Sequence, residues 1–175
     1  YEATGKRSLT DIAVKNAECI YDRFIAQKHE GIPGHPEIEL ALLRLYRLTG
    51  NRHFLELAKK FINERGKAPD FWAREAEKRS WTVWNSDPWD NDYRQSAKPV
   101  REQTEATGHA VRAVYLYTGM ADLASETDDK ELFSACRRLW ENIVRRKMYI
   151  TGGIGSTVQG EAFTVDYDLP PDTAY

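Results

Sequence analysis

Thiols are scarce in this chain. Cys19 and Cys136 are the two cysteines among 175 residues, too few for a disulfide scaffold or a four-cysteine zinc cluster. Each lies inside a helical apolar pattern, so the expectation is two separate core thiols rather than a bridged or metal-binding pair. A long apolar run is missing as well; nothing approaches the roughly 18 residues that a membrane span requires. Nor does one charge dominate. The 25 Lys and Arg face 27 Asp and Glu, a net charge of −2, which gives no general pull toward nucleic acid or an anionic membrane. No secretory signal is visible and the first residue is Tyr1 rather than Met, so a cytoplasmic protein with residues upstream is expected.

Two common ligand loops are also lacking. Gly155 to Gly160 has the spacing of a phosphate loop, yet Glu161 stands where the lysine belongs, and a carboxylate there repels phosphate. Gly153-x-Gly155 is followed by Val158 instead of a third glycine and has no strand–helix–strand surroundings, so dinucleotide binding is excluded too. A His-Glu-x-x-His zinc motif is absent. His35-x-Glu37-x-Glu39 and Glu105-x-x-x-His109 bring metal-competent side chains near one another, but they read first as capping or solvated residues.

What is present is helix. Leu9, Ile12, Ala13, Ala17, Ile20 and Phe24 recur at helical spacing behind Ser8-Leu-Thr-Asp11, which resembles a start box. A second helix is predicted from His35-Pro36-Glu37, where proline suits the first turn, with Ile38, Ala41, Leu42, Leu45 and Leu48 inward. A third carries Phe54, Leu57, Ala58, Phe61 and Ile62 and stops at Gly66. The next is predicted from about Arg101 through Ala124, and the last holds Leu132, Phe133, Cys136, Leu139, Trp140 and Ile143. Met148-Tyr149-Ile150 reads as a short strand.

The turns repeat. Tyr1-x-x-Thr4-Gly5-x-Arg7-x-Leu9 returns as Tyr46-x-x-Thr49-Gly50-x-Arg52-x-Phe54, and a weaker copy begins at Thr127. Gly34-His35 and Gly108-His109 mark the starts of two leading helices. Repeats of this length imply stacked helical hairpins. In a toroid of such hairpins the inner helices open on one mouth, which would bring His35 and His109 to a single cavity.

Two segments escape the helical pattern. Lys67 to Pro99 holds Trp72, Trp81, Trp84, Trp89 and Tyr93 among polar residues, either to stack on sugar rings or to pin the loop to the scaffold. Residues 151–175 are Gly-rich, then acidic and aromatic. A long non-helical segment on a helical scaffold is usually functional. Glu161, between Gly160 and Ala162-Phe163, is its candidate carboxyl, with neighbours able to strip water from it.

Gly34-His-Pro-Glu-Ile-Glu-Leu-Ala-Leu42, Lys98-Pro-Val-Arg-Glu-Gln-Thr-Glu-Ala-Thr-Gly-His109 with Ala110 to Tyr115, Arg146 to Ser156, Gly160-Glu-Ala-Phe163 and Asp172-Thr-Ala-Tyr175 resemble the beta-L-arabinofuranosidases of glycoside hydrolase family 127. The resemblance implies an (α/α)6 barrel, of which residues 1–175 would be roughly half, cut at both ends. It implies retaining removal of L-arabinofuranose from glycans or glycoconjugates, with Glu161 as acid/base and His35 and His109 binding the sugar. It also implies a zinc-bound cysteine nucleophile whose ligands follow Tyr175; Cys19 and Cys136 match none of them, so residues 1–175 alone are expected to bind no metal and to be inactive. Ala97 stands where many members carry histidine. A carbohydrate substrate is expected, without nucleic acid or membrane partners, and homodimerisation would use regions outside these residues. Two alternatives stay open: another (α/α)6 sugar enzyme, such as an unsaturated-glycoside hydrolase or a lyase, or a non-catalytic helical-repeat binding module.

Overall fold

A computed structural model describes residues 1–174, apart from the Trp84 side chain; Tyr175 of the last motif lies outside it. Among the described residues six α-helices carry the fold: α1 Ser8–Tyr21, α2 Ile38–Thr49, α3 Arg52–Glu64, α4 Phe71–Arg79, α5 Ala110–Thr127 and α6 Lys130–Asn142. Among the described residues there is no strand, only isolated antiparallel bridges: His109 with Ala162, Met148 with Ile154 and Thr157 with Ala162. The fold is all-helical, and the strand expected at residues 148–150 contracts to one of these bridges. No described helix is long and apolar enough to cross a membrane.

The repeated turns do what their residues dictate. Gly50 ends α2 in the left-handed region, and the side chain of Asn51 then accepts the His53 N–H to start α3. Asp129 does the same for α6 by accepting the Leu132 N–H at 2.9 Å. Ser8 does not cap α1: Arg7 occupies the cap position without a side-chain bond and instead pairs with Asp11 at 3.0 Å. Two hairpins result, α2–α3 and α5–α6, with α2 and α5 packed on each other and α1 set against α3.

Leu42, Leu43, Phe54, Leu57, Phe61, Ile62, Leu116, Met120, Leu123, Leu132 and Leu139 are buried at the junctions of these helices. Each such side chain stabilises the fold by about 1.5–3 kcal/mol. Exposed pairs such as Arg47 with Asp122 and Glu126 contribute at most about 1 kcal/mol each, so packing decides the arrangement. The buried face of α2 is Glu39, Leu42 and Leu43; Ala41 faces out. That rotation follows from α5, whose Gly119 approaches so closely that an added Cβ would lie 3.1 Å from Glu39 Cβ.

Several boundaries differ from the sequence reading. The helix expected from Arg101 starts only at Ala110, after a 3-10 turn at Val100–Glu102 and an irregular stretch. Within the Trp-rich segment, Phe71–Arg79 forms α4, tied to Glu30 by Arg74 at 2.7 Å. Trp72 is pinned by its Nε1 to Ser96 Oγ at 3.0 Å, whereas Trp81 and Trp89 are exposed. Leu9 and Ile12 on α1, and Phe133 and Trp140 on α6, also face outward, because no described element packs on those sides. Cys19 is exposed rather than buried; Cys136 is half-buried, and burial pushes its thiol up to about 11. Both are free.

Candidate active site

The site begins with a glycine that no other residue replaces. Gly108 has a φ of 68°, and a Cβ there would lie 2.0 Å from the Asp92 carbonyl oxygen. The Trp-rich segment can therefore run directly against the start of α5. His109 N–H donates to the Tyr93 carbonyl at 3.3 Å, and Phe163 N–H donates to the Gly108 carbonyl at 2.9 Å. Gln95, almost wholly buried, adds its amide to the carbonyls of Tyr93, Thr107 and His109. Three sequence-distant segments are thus clamped around His109.

His109 is also the N-cap of α5, and its Nδ1 accepts the Arg112 N–H at 3.4 Å. Its Nε2 lies 3.2 Å from Glu161 Oε2. Glu161 reaches that position from a strained backbone: its own φ is 47°, next to Gly160 at 76°. For a residue other than glycine this conformation is uncommon and is typically kept where the position of the side chain matters. Beneath the loop, almost fully buried Lys147 donates to Glu105 Oε1 and to the Thr164 carbonyl, both at 2.7 Å. Ser156 and Thr164 close it with a hydroxyl–hydroxyl contact.

Aromatic rings frame the imidazole. His35 meets His109 edge-on at 6.0 Å between ring centroids, with Tyr115 at 5.8 Å from His35 and Tyr93 at 5.6 Å from His109. The Arg112 guanidinium lies over the Tyr93 ring at 4.7 Å. Burial, and then the nearby Arg112 charge, hold His109 below the usual histidine range despite the Glu161 carboxylate. That direction favours the uncharged ring. His35 Nδ1 is buried without a hydrogen-bond partner, 3.8 Å from Glu37.

The structure therefore gathers Glu161, His109 and His35, the three residues singled out from sequence. Their surroundings differ in part from expectation. Glu161 is 53% exposed rather than desolvated, and Phe163 turns into the core beside Lys147. Glu105 pairs with Lys147, not with His109, because residues 103–109 are not helical. Glu39 is sunk against Arg65 instead of joining His35 and Glu37 as a ligand set. Tyr93 figures in the sequence only among the aromatics of the Trp-rich segment, and Arg112 and Tyr115 carry no assigned role there; of the three, only Arg112, the third residue of α5, stands at a readable offset from His109. A cleft of about 740 Å³ borders the far side of the loop, lined by Tyr93, Glu105, Gly160 and Phe163 among others. Neither histidine nor Glu161 lines it.

Comparison with known proteins gives one answer. The family described as beta-L-arabinofuranosidase, GH127 catalytic domain, matches residues 1–175. A non-reducing end beta-L-arabinofuranosidase of Bifidobacterium longum subsp. longum is 43% identical over 184 residues, covering 100% of this chain and 27% of that protein. A crystal structure of a GH127 beta-L-arabinofuranosidase from Geobacillus stearothermophilus T6 superimposes with a TM-score of 0.90 at 48% identity, over 99% of this chain and 28% of that one. A GH127 beta-arabinofuranosidase follows with a TM-score of 0.83 at 44% identity, over 100% and 25%. The chain spans about a quarter of the length of these relatives. It belongs to the GH127 beta-L-arabinofuranosidase family, within the catalytic domain.

Proposed function

We propose that the protein carrying this chain is a retaining glycoside hydrolase that removes L-arabinofuranose from glycans or glycoconjugates, and that Glu161 is its acid/base. The contact of Glu161 with His109, presented from a strained loop at the head of α5 in a member of this family, carries the reading. Retaining hydrolysis requires one carboxyl to protonate the departing glycosidic oxygen and afterwards to take a proton from the incoming water. Glu161 is open enough to meet a sugar on its exposed side and is held on the other by an imidazole. His35 and His109, 6.0 Å apart, are spaced to bind neighbouring hydroxyls of one small ring.

The nucleophile in this proposal is a cysteine thiolate activated by zinc and lying outside residues 1–175. The described residues do not fit a zinc site. They contain no group of three or more His, Cys, Asp or Glu arranged to hold a metal, and half-buried Cys136 is a thiol rather than a thiolate. The chemistry assigned to this chain is therefore proton transfer by Glu161 and sugar orientation by the two imidazoles.

In the full-length enzyme, Glu161→Ala is expected to lower the rate on a poor leaving group by about 10²–10⁴-fold. An activated nitrophenyl glycoside, whose leaving group departs without a proton, should lose much less in its first step. Equal losses on both substrates together with a lower melting temperature would mean that Glu161 only props its loop.

A further inference from the structure

The two nitrogens of His109 are engaged on opposite sides, and one of them is forced into a single role. The Arg112 backbone amide can only donate, so the Nδ1 that it reaches at 3.4 Å is an acceptor and carries no proton. A neutral imidazole has one N–H, which must then sit on Nε2. Nε2 is the atom 3.2 Å from Glu161 Oε2. A second proton on the ring would leave the Arg112 amide facing a donor and would uncap α5.

We propose that His109 is a positioning residue for the acid/base, holding Glu161 Oε2 as a hydrogen-bond acceptor so that the transferable proton resides on Oε1. Were the acid proton on Oε2, it would point at the Nε2–H. With Oε2 occupied, Oε1 alone is free to hand its proton to the leaving oxygen and then to take one from water. The proton moves from Oε1 to the glycosidic oxygen as its bond to the anomeric carbon breaks, and a water proton returns to Oε1 in the second step. The groups facing the imidazole are consistent with a neutral ring. Arg112 lies on its own helix, His35 and Tyr93 approach from neighbouring segments, and Glu161 brings a carboxylate to within 3.2 Å. This role rests on the reading of Glu161 as acid/base. It replaces, for His109, the direct sugar contact given above, because both ring nitrogens are then engaged, and it leaves hydroxyl binding to His35.

Two substitutions in the full-length enzyme separate the two nitrogens. His109→Asn keeps an oxygen near the Nδ1 position for the Arg112 amide but removes the Nε2 donor. His109→Gln keeps a donor near the Nε2 position but loses the cap. The Asn variant should melt close to the parent enzyme and lose at least about ten-fold on a poor leaving group relative to an activated one, part of the roughly 10²–10⁴-fold worth of general-acid assistance. The Gln variant should melt lower while its ratio of the two rates stays near that of the parent.

In a Glu161→Ala background the Asn substitution should add little, since the group it positions is gone. Selective ¹⁵N labelling of histidine should show His109 as the Nε2–H tautomer at neutral pH, its signals identified by their loss in the Asn variant. Equal loss on both leaving groups in His109→Asn, a full additive loss in the Glu161→Ala background, or an Nδ1–H tautomer would each overturn the proposal. If Glu161→Ala itself shows no dependence on the leaving group, the acid/base reading falls and takes this role with it. If Glu161→Ala shows that dependence and His109→Asn does not, only the positioning role is lost.

Discussion

Arg65 and Glu39 face each other in the dry interior between α3 and α2, with Nη2 3.7 Å from Oε1 and both side chains almost completely buried. The guanidinium spends its best hydrogen bonds elsewhere, donating to the Arg94 carbonyl at 2.9 Å and the Pro33 carbonyl at 2.7 Å. Those acceptors adjoin Tyr93 and lie two residues before His35, so Arg65 ties the His35 segment and the Tyr93 segment that braces His109 to α3. Desolvation raises the Glu39 carboxyl and lowers Arg65, each partly offset by the other's charge. Removing one partner of a buried pair strands the other, a loss of about 3–5 kcal/mol. Glu39→Gln should accordingly destabilise the enzyme strongly. Replacing both, as Glu39→Leu with Arg65→Met, should recover much of the stability in chemical denaturation while loosening the His35 and Tyr93 segments.

Asp129 offers a pH-dependent case. The Leu132 backbone N–H, followed by Arg101, holds its carboxyl below the usual range despite partial burial. A carboxylate depressed in the folded state contributes stability above its unfolded value and loses it as pH falls through the folded one. The contribution should thus be intact at neutral pH and vanish in acid. Asp129→Ala removes the cap and should destabilise by about 0.5–2 kcal/mol at neutral pH. Asp129→Asn keeps an acceptor oxygen, so it should retain most of that stability and show a shallower acid limb in melts taken across pH.

Gly108→Ala tests the clamp at the head of α5. The new Cβ would enter space held by the Asp92 carbonyl, and its backbone would stay in the left-handed region. Strain of this kind is worth about 1–3 kcal/mol before the clash is counted. The expected outcome is a lower melting temperature together with weakened binding, because Tyr93 and His109 must separate. A variant that melts lower but binds and turns over sugar normally would show that the clamp is structural only.

Lys147 makes a prediction about the loop that carries Glu161. Its ammonium is nearly dry and holds Glu105 and the Thr164 carbonyl together. Lys147→Met fills similar space but leaves both acceptors without their donor, a loss of about 1–3 kcal/mol. Hydrogen exchange should accelerate across residues 156–166 more than across α5 or α6. Uniform acceleration over the whole chain would mean that Lys147 supports the fold rather than the loop.

Much of the helical frame was legible in the residues themselves. Thr49-Gly50-Asn51 and Asp129 announce helix ends through bonds that span two or three residues, and the apolar spacing of α3 survives intact as Phe54, Leu57, Ala58, Phe61 and Ile62. Family membership, too, was visible in contiguous motifs. Local patterns fail where a distant surface decides. Alanine, arginine, glutamate and lysine in 71–79 favour helix, yet the tryptophans around them drew the segment toward loop. Residues 101–109 read as helix, but their backbone is claimed by Tyr93, Ala162 and Asn142. His109 and Glu161 were each readable as candidates from glycine-marked positions. That they touch, with Nδ1 spent on the helix and Nε2 left for the carboxylate, depends on three segments meeting at Gly108. A bond between residues a few positions apart follows from the chain alone. One between residues about fifty apart exists only after packing has set where both backbones run.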